Sequence, residues 1–150
     1  MIQIKNRQKK IKVNEKKLKI IISKILDILD YSDFDIGIWL TTNQTIHKYN
    51  KKYRKKNKPT DILSFPFHSK ITPGKKIIPK TDDDKNLGDI IISLEHAKKD
   101  ATNSDNSLDK QLKILLVHGI CHLIGYDHTT DKDYRKMQKQ EAYLLESINQ

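Results

Sequence analysis

Three of the six histidines of this 150-residue chain fall within eleven residues, in HGICHLIGYDH, from His118 to His128. His118 and His122 are four apart in a segment whose leucines recur every three to four residues. Both rings therefore project from one face of a helix and can share a metal ion. Gly125 stands where the backbone must leave that helix and turn, and His128 lies just past the turn, able to swing back toward the pair. Three neutral imidazoles with a fourth position open describe a catalytic zinc site rather than a closed structural one. Zinc in that setting brings the pKa of a water down toward about 7 and polarises a phosphoryl or carbonyl oxygen. The one cysteine, Cys121, precedes His122 by one residue, lies on another helix face, and reads as a buried apolar residue, not a ligand. His47, His68 and His96 have no such neighbours and read as ordinary residues.

The spacing invites comparison with zinc peptidases of the H-E-x-x-H-x-x-G-x-x-H kind, in which the Glu after the first His is the general base. Here that position is Gly119, which has no side chain, so peptide hydrolysis by the standard route is disfavoured. A second feature points to a polyanion. Residues 48–58, KYNKKYRKKNK, carry seven Lys or Arg and no acid. Arg54 is the one arginine among them, and a guanidinium can grip two phosphate oxygens at once where a lysine cannot. The whole chain has 29 basic against 19 acidic residues, a net charge of +10, which suits a nucleic-acid partner. With 26 lysines and 22 isoleucines, an A/T-rich coding bias would produce the same total, so the clustering carries more than the sum. Aromatic residues are 7% of the chain and no RRM-like or KH-like pattern is present, so recognition by base stacking is weakly supported.

The elements that must position these groups follow from hydrophobic periodicity. Residues 1–6 alternate as a short strand. Asn14 caps a helix to about Asp30, with Leu18, Ile21, Ile22, Ile25 and Leu29 on one face and lysines on the other. Phe34, Ile36, Ile38 and Leu40 alternate as a half-buried strand, and Asn43 caps a short helix leading into the basic run. Residues 60–67, TDILSFPF, read as a strand that Pro66 places at an edge. Residues 68–86 are irregular, and their run Asp82, Asp83, Asp84 reads as solvated. Residues 87–93, LGDIIIS, fit an interior strand. Helices follow at about 93–102 and 107–124. Thr130 with Asp133 resembles a capping box opening a last helix that carries Tyr134, Met137, Glu141, Leu144, Leu145 and Ile148. The expected fold is a single α+β domain over residues 1–150, with a sheet of about four strands packed with about five helices and the metal site at a helix end and the turn after it.

Several classes are excluded. One cysteine permits no intramolecular disulfide framework and fits a reducing compartment, so a cytoplasmic location is expected. No apolar run approaches the roughly 20 residues of a membrane span. The N-terminal MIQIKNRQKK has no apolar core of a secretory signal.

HGICHLIGYDH resembles the signature of the YbeY family of bacterial rRNA-maturation endoribonucleases, which are single-domain and zinc-dependent. Two further blocks stand in the family's order. YNKKYRKKNKPTDILSFPF resembles its stretch of Asn and Tyr-Arg ahead of Pro-Thr-Asp and Leu-Ser-Phe-Pro, and LGDIIIS its Leu-Gly-Asp strand. Cys121 departs from the family's usual Leu, and the first 30 residues match only in their strand–helix pattern. The resemblance implies that His118, His122 and His128 hold one zinc ion and that Arg54 is the arginine required for RNA cleavage. Thr60, Asp61 and Ser64 match as well, with site chemistry and turn or strand structure both open to them. The implied function is a single-strand-preferring endoribonuclease of rRNA processing, acting at the 3′ end of small-subunit rRNA and in ribosome quality control. Its implied partners are an rRNA precursor and the small ribosomal subunit, with no DNA and no membrane. Arg54 would neutralise charge developing at the phosphate, while the lysines of 48–58 and of the first helix hold the RNA backbone. Two other readings stand beside it. A protease-like zinc hydrolase is disfavoured by Gly119 and the basic strip, and a non-catalytic ribosome-assembly factor by the open fourth metal position.

Overall fold

Ile2 and Ile4, and then Ile36, Ile38 and Leu40, alternate with residues that point away from them, and each set turns toward the same interior. In the computed structural model, which describes residues 1–149, they belong to a four-stranded sheet in the order β1-β2-β4-β3. β1 (Ile2–Asn6) pairs parallel with β2 (Asp35–Thr41), β2 pairs parallel with β4 (Asn86–Ser93), and β3 (Ile62–Pro66) closes the edge antiparallel to β4. The continuous apolar run of β4 is explained by its interior place. Ile90 and Ile92 face the main core, and Ile91 faces a smaller cluster with Ile46 and Leu63 on the opposite side.

The edge position of β3 decides which of its backbone groups are free. The Ser93 N–H donates to the Asp61 carbonyl and the Phe67 N–H to the Leu87 carbonyl. By the alternation of an antiparallel ladder, Asp61, Leu63, Phe65 and Phe67 bond to β4, while Ile62, Ser64 and Pro66 turn their backbone groups outward. Pro66, which has no N–H to give, costs the ladder nothing there.

Helix α1 (Glu15–Ile28) makes the crossover from β1 to β2. Its Leu18, Ile21, Ile22, Ile25 and Leu26 are buried, and the Asn14 side chain accepts the Lys17 N–H as its cap. It shares the inner face of the sheet with α4 (Leu108–Leu123) and α5 (Asp131–Ile148). Helix α3 (Leu94–Asn103) follows β4 directly, capped by Ser93, and α2 (Asn43–Arg54) lies on the outer face. The cap of α2 is Thr42 rather than Asn43. The Thr42 hydroxyl accepts the Thr45 N–H, while the Asn43 side chain accepts from the Ser93 hydroxyl. Thr130 caps α5 by accepting the Asp133 N–H, one half of the expected capping box.

Residues 68–86 contain one 3-10 turn, Asp82–Asp84, and are tied down at several points. Ile77 is buried with its N–H donated to the Tyr31 hydroxyl at 2.8 Å, and the His68 ring meets the Asp84 carbonyl at 2.7 Å. Among the described residues no helix is long and apolar enough to cross a membrane.

Candidate metal centre and its cleft

Helix α4 is buried along most of its length, and its placement depends on glycine. A Cβ at Gly119 would lie 2.8 Å from Ile90 Cδ1 and 2.9 Å from Ile62 Cδ1. The position that carries the catalytic Glu in zinc peptidases is here pressed against the sheet. His118 and His122 emerge on a more open side of the same helix. The helix then stops at Gly125, whose φ is +102°. A Cβ there would lie 2.7 Å from the Ile71 carbonyl oxygen, so the turn admits no side chain. The Tyr126 N–H folds back to the Cys121 carbonyl, and the chain returns His128 to the helix end.

One nitrogen from each of His118, His122 and His128 lies within 4.8 Å of the others. Among the described residues this is the one such metal-capable group. His122 Nδ1 is 2.9 Å from the Tyr126 carbonyl. A carbonyl only accepts, so Nδ1 carries the proton and Nε2 presents a bare lone pair. His118 Nδ1 is 3.0 Å from Glu141 Oε2 on α5, which with an ionised carboxylate leaves His118 Nε2 bare in the same way. The two Nε2 atoms face each other at 3.1 Å. Two lone pairs at that distance repel unless a cation lies between them. Tetrahedral zinc with Zn–N of about 2.0–2.1 Å sets its ligand nitrogens about 3.3 Å apart, so the arrangement fits such an ion. Burial, with a further contribution from the neighbouring His118, pushes the His122 pKa down to about 4, so the ring is neutral at pH 7, as a ligand must be. Cys121 is fully buried, its thiol pushed up to about 12 chiefly by burial, and stands apart from the cluster.

The histidines form one end of an open cleft of about 660 Å³. Its other wall is the outward edge of β3 and the turn after α2, bringing Arg54, Lys56, Lys58, Thr60, Asp61 and Ser64 to the same space. Arg54 Nη2 donates to the outward-turned Ser64 carbonyl at 2.7 Å, and its guanidinium lies 4.9 Å over the Phe65 ring. Asn50, 2% exposed, organises the basic turn. Its carbonyl accepts the Lys55 and Lys56 N–H groups, and its side-chain amide donates to the Lys58 carbonyl at 2.9 Å. Lys48, Lys51, Lys52 and Lys55 lie exposed and outside the cleft lining. His47, His68 and His96 bond to Asn57, the Asp84 carbonyl and Asp100, and none belongs to the cluster. Sequence reasoning did not assign Glu141 a part in the site. Its one signal was an acid set within the apolar stripe of α5.

The family model described as Endoribonuclease YbeY matches residues 3–149. The chain belongs to the endoribonuclease YbeY family. It is 34% identical over 145 residues to the human Endoribonuclease YbeY, covering 97% of this chain and 86% of that protein. It is 37% identical over 142 residues to Endoribonuclease YbeY of Aquifex aeolicus, covering 94% and 88%. Among solved structures, the solution structure of TM1509 from Thermotoga maritima aligns with a TM-score of 0.65 at 25% identity, covering 99% of this chain and 89% of that one. As a YbeY-family member the chain is an endoribonuclease, a hydrolase acting on RNA, and the peptidase reading is set aside.

Proposed function

We propose that His118, His122 and His128 hold one zinc ion, and that the cleft beside it cuts single-stranded precursor rRNA near the 3′ end of the small-subunit molecule. The reading places the chain in the cytoplasm and in contact with the small ribosomal subunit during rRNA maturation and ribosome quality control. One observation carries it: three imidazoles, each offering a nitrogen within 4.8 Å of the others, face a wall that presents one arginine and two lysines across the same cleft.

The metal supplies Lewis-acid activation of water and of a phosphoryl oxygen. The chain's own groups do the rest. Glu141 and the Tyr126 carbonyl hold the Nδ1 protons of His118 and His122 and so fix which nitrogens face the cleft. Arg54 lines the cleft with one donor held on the Ser64 carbonyl and its guanidinium resting on Phe65, which leaves its other donors for phosphate oxygens. A donor fixed before the reaction needs no reorganisation as charge develops, which is the condition for lowering the barrier. Lys56 and Lys58 offset the charge of flanking phosphates without reading sequence.

The test is incubation of the purified chain with precursor small-subunit rRNA and, separately, with a peptide library. Cleavage confined to unpaired RNA near the 3′ end, with the peptides intact, is expected. Turnover of peptides with the RNA uncut would contradict the reading.

A further inference from the structure

We propose that the outer face of the sheet, across β3 from the metal cleft, is a stacking site for an unpaired RNA base next to the scissile phosphate. Tyr49 and Tyr53, four apart on α2, lie parallel with ring centres 6.0 Å apart and 12° between planes. Tyr53 meets Phe65 of β3 edge-on at 5.4 Å, and Trp39 of β2 meets Tyr49 edge-on at 6.5 Å. These four rings, with Asp89 and Ile91, line an open hollow of about 260 Å³. Trp39, Tyr49 and Phe65 pack on the small Ile46–Leu63–Ile91 cluster, whereas Tyr53, 49% exposed, is no part of that packing.

The charges round the hollow suit a nucleotide. Lys5 Nζ stands 5.7 Å from the Trp39 ring centre, Lys52 Nζ 5.1 Å from that of Tyr53, and the Arg54 guanidinium 4.9 Å from that of Phe65. Cations at the rim and aromatic faces inside are the two components that bind single-stranded nucleic acid, one holding phosphates and the other the bases. The Asp89 carboxylate, which has no hydrogen-bond or ion-pair partner among the described residues, keeps a phosphate out of the hollow itself. It can accept from the amino group of a base, so adenine, cytosine and guanine are favoured over uracil.

The hollow and the cleft lie on opposite sides of β3, with Arg54 beside both. Successive β3 side chains point to opposite faces, so Ser64 lines the metal cleft and Phe65 the hollow. Arg54 touches both, by its bond to the Ser64 carbonyl and its contact with Phe65. An RNA strand crossing the β3 edge at Arg54 can leave a phosphate in the cleft and place a neighbouring base on the rings. The inference rests on the RNA-cleaving reading of the cleft. It also reverses the expectation from composition. Few aromatics are present, but three distant segments gather four of them in one place.

Trp39 is the chain's one tryptophan, so its fluorescence reports on this hollow alone. The zinc-loaded chain is titrated with a short single-stranded oligoribonucleotide of mixed sequence, and with the same backbone made abasic. Quenching by the first and not by the second is expected. In parallel, cleavage by Tyr53→Ala is expected to show a KM raised roughly 5- to 150-fold, the scale of one lost stacking contact, with the loss falling on KM rather than on the saturated rate. Tyr53→Phe, which keeps the ring, should restore binding. Equal quenching by the abasic strand, or a parental KM in Tyr53→Ala, would overturn the stacking site and leave this face to a protein partner. If the parental chain neither binds nor cuts RNA, the reading of the cleft falls first and this inference falls with it.

Discussion

Replacing Glu141 isolates the contribution of a group that touches no metal ligand nitrogen directly. Glu141 Oε2 lies 3.0 Å from His118 Nδ1, with the two side chains 23% and 30% exposed, so water competes only partly for the bond. The carboxylate fixes the tautomer and strengthens the His118 Nε2 lone pair. Loss of such a partner costs about 10- to 100-fold in metal affinity, equivalent to about 1.4–2.8 kcal/mol. Glu141→Leu should show that full loss. Glu141→Gln keeps an acceptor for the Nδ1 proton but not the charge, and a neutral hydrogen bond is about half as strong as a charge-assisted one. Its loss should therefore be about 3- to 10-fold. Zinc affinity is read by competition with a chromophoric chelator at fixed pH. Thermal unfolding of the metal-free variants shows whether the fold has survived. A Glu141→Leu chain that stays folded and binds zinc as tightly as the parent would refute the assignment.

Three other perturbations give distinct outcomes. Arg54→Lys keeps the charge but loses the fork, and single-turnover cleavage should fall by about 10²-fold or more with RNA affinity nearly unchanged; an undiminished rate would move Arg54 from the chemistry to the electrostatic wall. Gly119→Glu forces a side chain toward Ile90 and Ile62 and buries a carboxylate, at a cost of several kcal/mol against a typical total stability of about 5–15. Circular dichroism should show a largely unfolded chain without peptidase activity, and a folded, proteolytic variant would contradict this packing. Cys121 should resist alkylation at pH 8 until denaturant is added. Its thiol is raised from 9.0 to about 12 in the fold, so the unfolded chain ionises first and stability should decline as pH climbs from 9 toward 12; ready alkylation of the native chain would place Cys121 at the surface.

How legible these features were depended on whether they were local. The 118–122–128 spacing and Gly125 lie in one helix and its turn, and the histidines come together as that spacing implies. Period-two alternation gave β1 and β2, and the unbroken apolar run of β4 matched its interior place. Pro66 matched the edge. Thr42 and Asn43 are both good caps, so sequence could not choose between them, and tertiary bonds to Ser93 and Glu95 drew Asn43 away from that role. The contacts that finish the site span long separations. Glu141 reaches His118 across 23 residues. The aromatic hollow needs β2, α2 and β3 to be assembled before it exists, and neither composition nor periodicity records that assembly.

The most direct measurement is single-turnover cleavage of precursor rRNA by metal-free chain as zinc is added back. Cleavage should rise linearly and level off at one zinc per chain. His128→Ala, left with two imidazoles, should gain neither tight zinc nor activity over the same titration. Full-rate cutting by the metal-free chain, or a His128→Ala variant that binds zinc and cuts like the parent, would contradict the three-histidine centre.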